Sequence, residues 1–320
     1  MNTLKRMMVA LLALLPLATG MAYADTDHGY SRIFIFGASF MDPGNRFADT
    51  GQTAHPPFDL ISFDSYGVGG HHFSNGRTWV EVLAQDMGLT DWAKPAYSDP
   101  AYGNYAYGYA FAQDLPDEYP DPLEPSLSDQ VQAWDNNGYC TGVPMNDTLF
   151  ILDTSYADPL SLLSGGTVDP EVAMATLGGM LNSLWENIGY LKGCGAVNLL
   201  VVNMPPLGAS PLIQDQPTKD LVTGMSLGYN VAVQADVLSY YADSMNIKTV
   251  DFFGFFIDVM GAPQDFGLTN TTETCVTPGV TSGAFCKDRD AYLFWDVLHP
   301  TKKVHALFAE VALAELPVPD

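Results

Sequence analysis

Ile33-Phe34-Ile35-Phe36 runs directly into Gly37-Ala38-Ser39-Phe40. Four consecutive β-branched or aromatic residues fit a strand buried on both faces, and the glycine marks a turn that presents a serine at the strand's end. Three further apolar runs follow at wide intervals: Thr148–Leu152, Asn198–Val202 and Lys248–Phe252. Between two of them, Asp169–Leu191 gathers Val172, Met174, Leu177, Met180, Leu181 and Leu184 toward one helical face, with Pro170 near its start and Gly193 past its end. A second helix is expected over Leu221–Ala242 and a third over Thr301–Leu316. Continuous apolar strands alternating with amphipathic helices imply a parallel sheet covered on both faces. Sites in such sheets lie at the carboxyl ends of the strands, where Ser39 falls.

At the other end of the chain, Phe294-Trp295-Asp296-Val297-Leu298-His299-Pro300-Thr301 sets a carboxylate three residues before a histidine, just ahead of the third helix. A serine, a base and an orienting acid are the parts of an activated oxygen nucleophile. They make one site only if the fold joins the two chain ends. Each also has a plainer reading: a serine after a strand often caps the next helix. His305 is read as a packed or solvated helical side chain. His71-His72, in a Gly-rich loop, is read as solvated, with a metal or substrate contact as the alternative. Asp42 and Asn45 read as turn residues. The aromatic residues Tyr102, Tyr105, Tyr107, Tyr109 and Phe111 alternate as one face of a strand would, though they could also line an acyl or sugar site.

Residues 1–24 carry the marks of an export signal: Lys5 and Arg6, an apolar stretch from Met7 to Gly20, then Ala22-Tyr23-Ala24 before Asp25. The stretch contains Pro16 and is short for a membrane span, so no stable anchor is expected. The expected mature chain is a single domain, residues 25–320, in the periplasm or the medium, with no room for a membrane barrel after the last helix. The formal net charge of −24 argues against nucleic acid or an anionic membrane surface as partner, since both would repel it. The four cysteines suit an oxidising compartment. Cys275–Cys286 is the local pair and Cys140–Cys194 follows by elimination; no CxxC spacing supports a zinc site.

Several segments then resemble, in order, the GDSL or SGNH hydrolases, a family of serine esterases and lipases. Phe36-Gly37-Ala38-Ser39-Phe40-Met41-Asp42-Pro43-Gly44-Asn45 resembles the opening Phe-Gly-Asp-Ser-Leu-Ser-Asp-Thr-Gly-Asn. Phe73-Ser74-Asn75-Gly76-Arg77-Thr78-Trp79 matches a common stretch, Asn104-Tyr105-Ala106-Tyr107-Gly108-Tyr109-Ala110 the second block, and Val202-Asn203-Met204-Pro205-Pro206-Leu207-Gly208 another. Asp296 to Thr301 fits the closing Asp-x-x-His-Pro-Thr. The resemblance implies a flavodoxin-like α/β/α sandwich and hydrolysis of small-molecule or lipid esters through an acyl-enzyme, with no metal or cofactor. Ser39 would be the nucleophile, His299 the general base and Asp296 the group that orients the imidazole.

The chain departs from the family where the oxyanion is stabilised. The family uses the serine N–H, a second-block glycine N–H and an asparagine side chain. Aligned on Asp158, Leu152-Asp153-Thr154-Ser155-Tyr156-Ala157-Asp158 puts Ser155 at the glycine and Ala157 at the asparagine of Gly-x-Asn-Asp. Tyr109 stands at the second-block glycine, and Ala38 replaces the aspartate beside the nucleophile. The oxyanion candidates are therefore Ser39, Tyr109 and Ser155, with the Tyr156 hydroxyl as a further substitute. Two functions remain compatible: an ester hydrolase with a rebuilt oxyanion hole, or a catalytically impaired protein that binds an acyl ester or glycan in the old cleft. The intact Ser39, Asp296 and His299 favour the enzyme; the lost donors favour the binder.

Overall fold

A computed structural model describes residues 28–51, 53, 66, 69–114, 125–153, 156–165, 168–276 and 285–319. The 1–24 segment and Ser155 lie outside the described residues. Four strands, β1 (Arg32–Phe36), β2 (Thr148–Asp153), β3 (Asn198–Val202) and β4 (Asn246–Val250), form one parallel sheet in the order β1-β2-β3-β4. Phe36 lies opposite Leu152, and Asp153 opposite Val202, so the carboxyl ends of the first three strands align. Ile33 to Phe36 and every residue of β2 and β3 are buried, as continuous apolar runs covered on both faces require.

Parallel neighbours need crossovers, and helices supply them. Helices α1 (Asn45–Thr50), α2 (Trp79–Asp86) and α3 (Leu127–Asn136) lie between β1 and β2. Helices α4 (Ala157–Ser161) and α5 (Pro170–Gly193) lie between β2 and β3, and α6 (Gln216–Ala232) between β3 and β4. Helices α7 (Phe252–Gly261) and α8 (Lys302–Ala314) close the fold. This is the α/β sandwich expected, with the sheet between helices.

The outer edge of β1 is occupied as well. Ile35 N–H donates to the Gly103 carbonyl (3.0 Å), Tyr105 N–H to the Ile35 carbonyl (2.8 Å) and Tyr107 N–H to the Gly37 carbonyl (2.9 Å). The segment from Gly103 to Tyr107 thus runs parallel to β1 as an irregular edge strand, giving the segment-β1-β2-β3-β4 order typical of flavodoxin-like sheets. The alternating tyrosines are explained by this pairing in part. Tyr105 and Tyr107 are buried, Tyr105 stacking on Phe36 at 5.6 Å, and the chain then turns at Gly108-Tyr109.

Several expected boundaries shift by a few residues, Gly193 among them falling inside its helix, and two of the shifts have a clear cause. The fourth strand ends at Val250, not Phe252, because the Asp251 side chain accepts the Gly254 N–H (2.9 Å) and caps α7. Phe252, Phe255, Phe256 and Val259 then share one buried helical face, and Phe252 stacks on Phe308 of α8 at 4.0 Å. The second helix begins at Gln216, five residues earlier than expected, capped by Asp215, whose carboxylate accepts the Thr218 N–H (3.0 Å). A π-helical stretch, Val233–Leu238, continues it. Both expected disulfides, Cys140–Cys194 and Cys275–Cys286, are formed.

His305 is packed, not solvated: its Nδ1 accepts the Trp79 N–H (3.2 Å). Burial, then the neighbouring His299 and His72, lower its pKa to about 3. A histidine whose folded pKa is depressed takes up its proton mainly in the unfolded state, so stability falls as pH drops below the unfolded pKa, from about 6.5 toward 3. His305→Asn keeps an acceptor for Trp79 and removes the titration. Between pH 7 and pH 5 the variant is expected to lose about 2 kcal/mol less stability than wild type, measured by urea unfolding. Equal losses would show that His305 is not the responsible group.

Candidate active site

The turn that carries Ser39 is held by polar groups from three directions. Gly37 N–H donates to Gln130 Oε1 (2.8 Å), and Gln130 Nε2 donates back to the Gly37 carbonyl (3.0 Å). A side chain at Gly37 has no room, since a Cβ there would lie 2.5 Å from Met41 Cε and 2.6 Å from Asp153 Cβ. Asp42, fully buried, accepts from the N–H groups of Gly44 (2.7 Å), Asn45 (2.5 Å) and Gly108 (2.8 Å). Burial raises its carboxyl pKa and these amides oppose the rise. Asn45 Nδ2 donates to the carbonyls of Asn104 (2.7 Å) and Ala106 (2.8 Å). The two supposed turn residues therefore also fasten the Ser39 turn to the edge segment.

The histidine loop is fixed by the Phe73–Trp79 stretch. Ser74 Oγ donates to the Pro300 carbonyl (2.8 Å), and Asn75 Oδ1 accepts the Lys302 N–H (2.7 Å) at the start of α8. Asp296 Oδ1 accepts the N–H groups of Leu298 (2.7 Å) and His299 (2.6 Å), which folds the four residues into a tight turn. The His299 ring lies between Phe73 at 5.1 Å and Phe40 at 5.5 Å.

Within this frame the chain ends meet. Ser39 Oγ lies 2.7 Å from His299 Nε2, and His299 Nδ1 lies 2.7 Å from Asp296 Oδ2. All three side chains are buried. Tyr66 donates its hydroxyl to Asp296 Oδ2 (3.0 Å), a partner 230 residues away that no sequence signal marks. Because Asp296 accepts at Nδ1, the neutral imidazole carries its proton there and leaves Nε2 free to accept from Ser39.

Around Ser39 the expected donors fall out differently. Tyr109 adopts φ 65°, the left-handed conformation that a glycine at this position would take without strain. Its ring meets Phe73 edge-on at 5.3 Å, and the Arg46 guanidinium sits 4.9 Å from its centroid. Asp158 is buried and accepts from Ala112 N–H (2.7 Å) and Gln113 Nε2 (2.9 Å), tying α4 to the neighbouring loop. Burial brings its pKa up to about 6. Tyr156, one residue before α4, is buried with its hydroxyl in hydrogen-bond contact with Ser39 Oγ.

His72 corrects the reading of a solvated loop. It is buried, with Nδ1 2.5 Å from the Gly69 carbonyl and Nε2 3.0 Å from Glu81 Oε1. Both nitrogens face acceptors, an arrangement that favours the imidazolium. Burial pulls its pKa down, but Glu81 and the Gly69 carbonyl outweigh that and raise it. Neighbouring His71 stacks on Phe47 at 3.4 Å.

The model of the GDSL-like lipase/acylhydrolase family matches residues 33–312, nearly the whole described chain. The chain belongs to this family. Among its relatives, a GDSL esterase/lipase of Arabidopsis thaliana is 24% identical over 319 aligned residues, covering 88% of this chain and 81% of the relative. Another from the same plant is 26% identical, with 83% of each chain covered. The thermolabile hemolysin of Vibrio parahaemolyticus is 25% identical over 88% of this chain and 63% of its own. Membership makes the protein a hydrolase acting on ester bonds. The matched range takes in all five resembling segments and the departures at Ala38, Tyr109 and Ala157.

Proposed function

We propose that this GDSL hydrolase is exported after loss of residues 1–24 and cleaves carboxylic esters as one mature domain, residues 25–320, through an acyl-enzyme on Ser39. The observation that carries this is the unbroken line of hydrogen bonds from Ser39 Oγ through the His299 ring to Asp296. Ser39 Oγ attacks the ester carbonyl carbon while its proton passes to His299 Nε2, and the carbonyl electron pair moves onto oxygen. Collapse of the tetrahedral adduct expels the alcohol, which takes the proton from Nε2. Water then repeats the sequence on the acyl group and frees the acid. Asp296 keeps Nδ1 protonated and stabilises the transient imidazolium; Tyr66 and two backbone amides hold Asp296 in place.

The main-chain N–H groups of Ser39 and Tyr109 are the oxyanion donors this reading carries over from the family. Small-molecule or lipid esters are the substrate class. The charge of −24 disfavours nucleic acid and anionic bilayers as partners. Among the described residues no helix is long and apolar enough to cross a membrane, and the two disulfides suit an oxidising compartment such as the periplasm or the medium.

The test is turnover of p-nitrophenyl esters of short and long chain by the mature protein. Hydrolysis is expected, with kcat lowered at least about 10⁴-fold in Ser39→Ala. Comparable rates in both proteins would reject Ser39 as the nucleophile, and no turnover in wild type would leave a binding protein.

A further inference from the structure

An asparagine side chain completes the oxyanion hole in the family, and Ala157 stands in its place here. A side-chain donor is nevertheless present at the nucleophile. The Tyr156 hydroxyl touches Ser39 Oγ. The ring is 3% exposed and packs on Phe40 at 4.4 Å, while Asp158, two residues on, is anchored to Ala112 and Gln113. The phenol is therefore held in one position rather than hanging into the cleft.

We infer that the Tyr156 phenol is the side-chain oxyanion donor of this enzyme, doing the work of the family's missing amide. The inference rests on Ser39 being the nucleophile. In the tetrahedral adduct the oxyanion and Ser39 Oγ are bonded to the same carbon, so a donor in contact with Oγ reaches both oxygens. In the resting enzyme the phenol donates to Oγ and makes it a poorer nucleophile. Its contribution is realised only when the carbonyl pair moves onto oxygen and the O–H turns to that stronger acceptor. The O–H bond never breaks, and when the adduct collapses the hydrogen bond returns to Oγ. Burial, with the Asp153 and Asp296 charges, holds the phenol far above its ordinary pKa, so it stays a donor and cannot act as a base.

Tyr156→Phe removes one oxygen and keeps the packed ring. With p-nitrophenyl esters, kcat is expected to fall about 10²–10³-fold while KM changes by less than about threefold. Affinity for a trifluoromethyl ketone, which forms a charged tetrahedral adduct on serine, should fall with kcat. A kcat within threefold of wild type, in a variant of unchanged Tm, overturns the inference while Ser39-dependent wild-type turnover still stands. Wild-type protein without turnover overturns the Ser39 reading itself, and the Tyr156 role with it. A wild-type crystal structure of the ketone adduct gives an answer independent of any variant's folding. Tyr156 Oη is expected within about 3 Å of the adduct oxygen; an oxygen pointing away from Tyr156 would overturn the inference.

Discussion

Asp296→Asn is expected to lower kcat about 10⁴-fold with the fold intact. The reason lies in which oxygen does what. Oδ1 accepts two backbone N–H groups, from Leu298 and His299, so an asparagine must turn its carbonyl oxygen to that side. Its NH₂ then faces His299 Nδ1, where Oδ2 now accepts. A donor against Nδ1 forces the imidazole proton onto Nε2, and Nε2 can no longer take the proton of Ser39 2.7 Å away. Tyr66 offers no escape, because its hydroxyl can accept from the new NH₂ and so reinforces the wrong orientation. The loss should therefore appear in kcat, with KM nearly unchanged and Tm within a few degrees. Steady-state kinetics beside a thermal melt check it; a variant retaining more than a tenth of wild-type kcat would contradict the assigned role.

The second large effect is on stability. The Cys140–Cys194 bridge joins the short helix Tyr139–Gly142, ahead of β2, to the end of α5, where Cys194 is the C-terminal cap of the helix that leads into β3. It closes a chain separation of 54 residues that contains β2 and α4. In the chain-entropy account a loop of this size stabilises by about 4 kcal/mol, against about 3 kcal/mol for the separation of 11 closed by Cys275–Cys286. Cys140→Ser/Cys194→Ser should accordingly lower the urea midpoint more than Cys275→Ser/Cys286→Ser, with similar m-values in both. The reverse ranking would mean that packing around the second bridge, close to the buried Trp295 and Val276, outweighs loop entropy.

The first three strands were legible because they are buried on both faces, and nothing but a run of apolar residues satisfies that environment; β4, with only Val250 buried, carries a weaker signal. The grouping of Ser39, His299 and Asp296 was legible because the carboxylate and histidine sit three residues apart and the serine follows the first such strand. The polar frame was not. Gln130 clasps Gly37 across 93 residues, and Tyr66 reaches Asp296 across 230, with no periodicity to announce either. The edge segment from Gly103 was legible only in part, as alternating tyrosines, because its pairing is irregular, and the start of α7 was missed because Asp251 and Phe252 read as the end of the strand until Asp251 is recognised as a cap. Alanine at 157 signalled a lost donor. Among the substitutes the sequence offers, Tyr156 is the one whose folded position puts a hydroxyl against Ser39.

The central claim is that Ser39 is a nucleophile activated by His299. A fluorophosphonate probe, incubated with the mature protein and mapped by peptide mass spectrometry, tests it at the reacting atom. The account predicts one adduct per chain, on Ser39, absent from Ser39→Ala and formed far more slowly in His299→Ala. No adduct, or an adduct on another residue that survives Ser39→Ala, would contradict it.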